Sequence, residues 1–279
     1  MVDAIIQLLL HFAIPALVVA AIFIALLMFA LPREVRTVFK REVKSYFVSP
    51  IAYVCVVIFL VISNGITFWF GGMLESGEAE LYRPFFQYMP WYFIVIAPAV
   101  GMRLWSEEQR LGTMELLMTM PLAPWHAIVG KFLAASVVVF AMLVLSFPIV
   151  MVVNYLGDPD NGVILAGFVA TFLTALCYLA ITSAISALTR SQIVALLVSI
   201  GVCLAVWLSG LPPITDAVDN LPRWNPFWPL LKLVTTLGVL PHFNEFAKGV
   251  LGFRDIVFFL SFIAFFLFAT AIAIRAKRA

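Results

Sequence analysis

Across 279 residues, 64% are hydrophobic and 11% charged, well under the roughly 25% charged residues of an ordinary soluble domain, so the chain is read as an integral membrane protein. No interval between its apolar runs is long or mixed enough to bury a soluble core, and one membrane domain is expected. The net charge of +2 comes from basic residues placed beside apolar runs, not from a patch, which excludes a nucleic-acid partner.

A helix crosses the hydrocarbon core with about 20 mostly apolar residues. Seven runs qualify: 4–31, 51–70, 87–104, 126–154, 163–188, 192–211 and 255–274. The first has no Lys or Arg before it and outruns a signal-peptide core. Residues 1–32 therefore read as an additional transmembrane segment with its N-terminus outside; a translation start at Met28 is the competing reading. Residues 33–279 hold the other six runs, and no repeat relates them, which gives an inverted-repeat transporter no support.

Residues 33–49 follow. Val35, Phe39, Val43 and Tyr46 recur at helical spacing while Arg36, Lys40, Arg41 and Lys44 occupy the remaining surface, the pattern of a cytoplasmic interfacial helix or a simple positive-inside anchor. In the next run, Ser63, Asn64 and Thr67 are candidate pathway residues; such side chains in a span also serve to bond a neighbouring helix. Lys and Arg beside the second, third and fourth runs, at Arg190 and at the end of the chain mark the cytoplasmic side. Glu75, Glu78, Glu80, Asp158 and Asp160 mark the opposite one.

Residues 105–125 form a polar island on the cytoplasmic side, beginning WSEEQRLGTMELLMTMP. Residues 106–110 can extend the preceding helix, and Gly112 is placed to end it in a left-handed C-cap. Thr113 then N-caps a second short helix, with Glu115 in its first turn, Leu116, Leu117 and Met120 on an apolar side, and Pro121 and Pro124 as its stop. An ordinary amphipathic loop packed on its own bundle is the plainer alternative.

Energy-handling residues are scarce. The six later runs hold no mid-membrane Asp or Glu; Lys131 is expected to snorkel, Arg103 sits at a boundary, and His11 is the one titratable group well inside a run. An ion-coupled carrier is disfavoured. No His-Glu-x-x-His, Gly-x-Ser-x-Gly or P-loop occurs: Gly130-Lys131 is followed by Phe132, so the chain has no ATPase site of its own. His242-Phe-Asn-Glu245 supplies at most two ligands and reads as an interfacial loop, so no metal site is expected. Cys55, Cys177 and Cys203 read as small buried hydrophobes. The long outer loop, 212–254, carries six prolines, Trp224 and Trp228. Its two apolar pieces, 230–240 and 243–251, are too short to cross and suit re-entrant or interfacial helices.

The run from Glu107 and Glu108 through Arg110, Gly112, Thr113 and Glu115 to Pro121 resembles the first cytoplasmic loop of ABC-transporter permeases of the type-2 exporter class. Residues 39–53 and 249–261 are similar to the gliding-motility-type subgroup, and the resemblance extends over 35–278. It implies an all-α, six-helix type-2 exporter permease bundle with an additional N-terminal transmembrane helix, a cytoplasmic coupling helix, and outer re-entrant helices between the last two spans. The island would then sit in a groove of a separate cytoplasmic ABC ATPase that holds ATP and Mg, with no cofactor in this chain. Glu107, Glu108, Arg110 and Glu115 would make polar contacts, Gly112 would hinge, Thr113 would cap, and Leu116 and Leu117 would form the apolar seat. The residue 33–49 helix would also border the ATPase. Implied partners are a second permease copy or related membrane subunit, an accessory extracytoplasmic protein and the lipid bilayer, with multi-pass localisation in the bacterial cytoplasmic (inner) membrane. The alternative is a non-translocating anchor or scaffold of an envelope machine. Relatives commonly start near the basic stretch, so the resemblance assigns no role to residues 1–32.

Overall fold

The computed structural model describes residues 31–71, 80–114, 123–220, 228–250 and 252–277. Residues 4–30 of the first run and residues 115–122 of the island, with Glu115, Leu116 and Leu117, lie outside the described residues. Regular structure among the described residues is entirely helical.

Helix α1, Arg33–Val48, and helix α2, Pro50–Gly65, meet at Ser49. Its hydroxyl accepts from the Ile51 N–H at 3.4 Å, and Pro50 pre-sets the first helical φ where an N–H would be unpaired anyway. A π turn, Ile66–Phe70, prolongs α2 to a mostly apolar stretch of 21 residues. Its buried face is one stripe, Ala52, Cys55, Phe59, Ser63 and Thr67, at the i, i+3/i+4 spacing of a helix packed on one side only. Val54, Val57, Ile58, Val61 and Ile62 are exposed, as suits lipid contact.

The run 87–104 is divided between two helices. Helix α3, Met89–Gly101, covers about 20 Å at 1.5 Å per residue and hands over at Met102 to α4, Arg103–Leu111. Pro98 inside α3 lacks an amide donor, while its own carbonyl accepts from the Met102 N–H at 2.8 Å, so the chain stays helical across the junction. Helix α5, Pro124–Leu145, is interrupted before Pro148 and resumes as α6, Pro148–Leu156. Asp160 then caps α7, Asn161–Ser186, accepting from the Gly162 N–H at 2.8 Å, and Ser191 caps α8, Gln192–Ser209. Three short helices follow, α9 Pro212–Asp219, α10 Trp228–Thr236 and α11 Val239–Ala247, before α12, Phe253–Ala276. Among the described residues, five stretches are long and apolar enough to cross a membrane: Pro50–Phe70, Pro124–Leu156, Asn161–Ser186, Gln192–Ser209 and Phe253–Ala276.

Helix α7 is the centre, packed against α3, α5, α8, α11 and α12. Gly167, Ala170, Ala175, Ala180, Ser183 and Ala184 make its surface low and let neighbouring backbones approach. The outer pieces begin a few residues before the sequence expectation, because Gly238 rather than the apolar composition sets their boundary. A Cβ there would stand 2.6 Å from the Gly210 Cα. Phe243 and Phe246 bury α11 in the common core, and His242 lies within this helix, not in the loop expected from sequence.

At the opposite end, α1 does more than lie at an interface. Val35, Val38, Phe39 and Tyr46 are buried, and the helix packs along α5. Gly130 makes the approach possible: a Cβ at that position would be 3.0 Å from the Val38 side chain and 3.2 Å from the Val35 carbonyl.

Candidate coupling site

The described half of the island is α4, and its N-terminal turn is fastened to the last turn of α7. The Trp105 and Ser106 amides donate to the Ser186 hydroxyl at 3.0 and 3.1 Å, and that hydroxyl donates to the Met102 carbonyl at 2.9 Å. The Trp105 indole N–H donates to Ser183 at 3.2 Å. Further along, the Gln109 amide donates to the Ala187 carbonyl at 2.7 Å, satisfying a terminal carbonyl of α7, and Lys277 at the end of α12 donates to Gln109 Oε1. Burial, with Arg190 nearby, lowers the Lys277 ammonium pKa from its usual value.

The other flank of α4 meets α1 and α5 through charges. Lys131 Nζ lies 3.0 Å from Glu108 and 3.2 Å from Glu42, and Arg41 lies 2.8 Å from Glu42 and 3.7 Å from Glu108. Lys131 is only 3% exposed, so it does not snorkel to water as its position in the run suggested; two carboxylates meet it inside the protein. Burial by itself would raise the Glu42 carboxyl pKa, but Lys131 and Arg41 together hold it below the usual value. Arg103 donates to Ser49 at 2.7 Å and stands over the Tyr46 ring, whose hydroxyl donates to the Val100 carbonyl at 3.0 Å. Burial pushes that hydroxyl above its usual pKa, opposed by Arg103. A cleft of about 420 Å³ opens between α1 and α4, lined by these groups together with Ser45 and Glu107.

Gly112 closes α4 with φ +71° and ψ 8°, the left-handed C-cap expected from sequence, and the Thr113 N–H donates to the Glu108 carbonyl at 3.1 Å. A Cβ at Gly112 would meet nothing within 4 Å, so backbone conformation alone asks for glycine there. Arg110, Leu111 and Thr113 are exposed and Glu107 is half-buried, whereas the Glu108 side chain is turned inward to Lys131. Lys40 and Lys44 are exposed on α1, and Arg36 donates to the Leu31 carbonyl at 3.2 Å. Thus α4 brings Glu107, Glu108, Arg110, Gly112 and Thr113 together, and Arg41 joins them across the cleft.

The candidate pathway residues sit apart from this site, on α2. Asn64 donates to the Leu60 carbonyl at 2.7 Å and Thr67 to the Ser63 carbonyl at 2.6 Å, while Ser63 reaches back to Leu60 at 3.4 Å. All three bonds return to their own helix. On the other side of the molecule, His242 Nδ1 lies 2.6 Å from the Asp255 carboxylate, and its ring stacks on Phe258. Among the described residues, no group of three His, Cys, Asp or Glu side chains could hold a metal.

Sequence reasoning missed the Lys131 network, the serine clasp of α7 and the His242–Asp255 pair. A signal for the first existed: Glu42 is an acid set in the most basic segment of the chain. No curated protein matches the chain significantly. Residues 70–220, more than half of the chain, match the family model described as ABC-2 family transporter protein, and the chain belongs to that family.

Proposed function

We propose that this chain is the membrane-spanning subunit of an ATP-driven ABC exporter of the bacterial cytoplasmic membrane, driven by a separate cytoplasmic ATPase through the island at 105–125. The observation that carries this reading is α4. It ends at a left-handed Gly112 beside an exposed tip, and its body is bonded to α1, α5, α7 and α12. A displacement at the tip has a route into most of the bundle. The chain offers no P-loop, so hydrolysis falls to a partner. Helix α3 with the first residues of α4, counted from Met89 to Trp105, extends about 26 Å at 1.5 Å per residue and would supply the sixth crossing of a type-2 exporter bundle, leaving Glu107 to Leu111 on the cytoplasmic side. The gliding-motility-type subgroup, a second permease copy or related membrane subunit, an accessory outer protein and a pathway along Ser63, Asn64 and Thr67 belong to the same proposal.

Docking should depend on the apolar seat more than on a single exposed charge. Burying a leucine side chain contributes about 1.5–3 kcal/mol, an exposed ion pair about 0–1 kcal/mol. With the chain tagged in its native membrane, Leu117→Asp should lose the co-purifying ATPase and Arg110→Gln should keep it. Equal recovery with both variants would refute this seat. A wild-type complex that hydrolyses ATP without any movement of the membrane subunit would instead mark a scaffold.

A further inference from the structure

Lys131 stands two turns into α5, where a four-carbon stem could have carried its charge to water. Instead its side chain is 4% exposed and its ammonium is held by Glu42 of α1 and Glu108 of α4. The same ammonium lies 5.4 Å from the centre of the Trp105 ring, whose N–H is bound to Ser183 of α7. A desolvated charge is tolerated only while paired, and removing one member strands the others. Separating α4 from α5, or α1 from α5, would leave a lysine side chain that is 4% exposed with one of its two carboxylate partners. Arg41 bridges the same two carboxylates from the exposed side. Two acids and two bases therefore tie three helices at a single point.

We propose that Lys131 is a positioning residue for energy coupling, resting on the function proposed above. It holds α4 against α1 and α5, so that a displacement of the island is passed into α5 and not absorbed by α4 pivoting at Met102. Lys131 itself is only 3% exposed. It acts through Glu108 and Glu42.

The test uses the complex captured from native membranes through a tag on this chain and reconstituted in liposomes. Three variants are compared with wild type: Lys131→Met, Lys131→Arg, and Lys131→Met combined with Glu42→Gln and Glu108→Gln, which strands no buried charge and leaves unpaired only Arg41, whose side chain is 53% exposed. Recovery of the ATPase, kcat and KM for ATP, and the ATP-dependent separation of spin labels at Leu145 and Asp216 are read for each. The expected result for Lys131→Met is retained ATPase and unchanged KM, with permease-stimulated kcat reduced about 5-fold or more and the label movement lost. Lys131→Arg should restore both. Should Lys131→Met alone fail to assemble, the triple variant decides: assembly without movement supports the proposal, and assembly with wild-type movement overturns it. Failure of the triple variant to assemble while Lys131→Arg assembles overturns it in favour of a purely architectural role. Absence of stimulation and movement in wild type would sink the proposed function itself, whereas wild-type coupling kept intact in Lys131→Met sinks only this inference.

Discussion

Gly112 and Glu42 show two different ways in which one residue matters. At Gly112 the space is open and only φ +71° constrains the choice. Valine there would meet the left-handed penalty of about 1–2 kcal/mol for an L-residue, made worse by its β-branch, while asparagine adopts the region more readily. Gly112→Asn should keep ATPase stimulation near wild type, and Gly112→Val should reduce it with the complex still assembled; equal stimulation would remove the hinge role. At Glu42 the constraint is electrostatic. Its folded pKa is lowered, so its contribution to stability is fully present above the usual carboxylate value and is lost as pH falls through that value to the lowered one. Thermal unfolding of the purified chain should therefore weaken across that acidic window. Glu42→Gln should start less stable at neutral pH and lose less on acidification, and parallel pH curves would exclude the pairing. The C-cap was legible because glycine after a polar helical stretch is a local signal. The partners of Lys131 were not, because Glu42 and Glu108 are 66 positions apart and only the packing of α1 and α4 on α5 brings them together.

At the scale of helices, the apolar runs predicted the membrane-length stretches well where composition and helix continuity coincide. The run 87–104 behaved differently, since hydropathy does not register the division into two helices at Met102 or the burial of nearly every side chain of α3. Helix α1 was legible as amphipathic, but its docking partner was not, because the key residue on the other side is a glycine with no hydropathy signature. Gly130→Val tests that contact directly. Its Cβ would press on Val38 at 3.0 Å and on the Val35 carbonyl at 3.2 Å, and overpacking of this kind costs about 1–3 kcal/mol. Limited proteolysis should then cut α1 faster and thermal stability should fall. Gly201→Ala, at a position where a Cβ meets nothing within 4 Å, should leave both unchanged or slightly improved, because alanine is the better helix former. Equal protection of α1 in the two variants would mean that the α1–α5 contact is not a source of stability.

Among the described residues the molecule is polarised: α1, α4 and the end of α12 gather at one end, and α9, α10 and α11 at the other. The asymmetry of Lys and Arg is the ground on which the first end is proposed to face the cytoplasm. Topology can be read chemically because Cys55, Cys177 and Cys203 are all buried and give little background. Arg190, between α7 and α8, and Asp216, on α9, are both exposed and lie at opposite ends of α8. An impermeant thiol reagent added to intact spheroplasts should label Asp216→Cys and spare Arg190→Cys, which should react only after lysis. Reversed labelling would turn the bundle over and place α4 outside. No cytoplasmic ATPase could then reach Gly112, and the coupling function proposed for α4 would have to be abandoned along with the orientation.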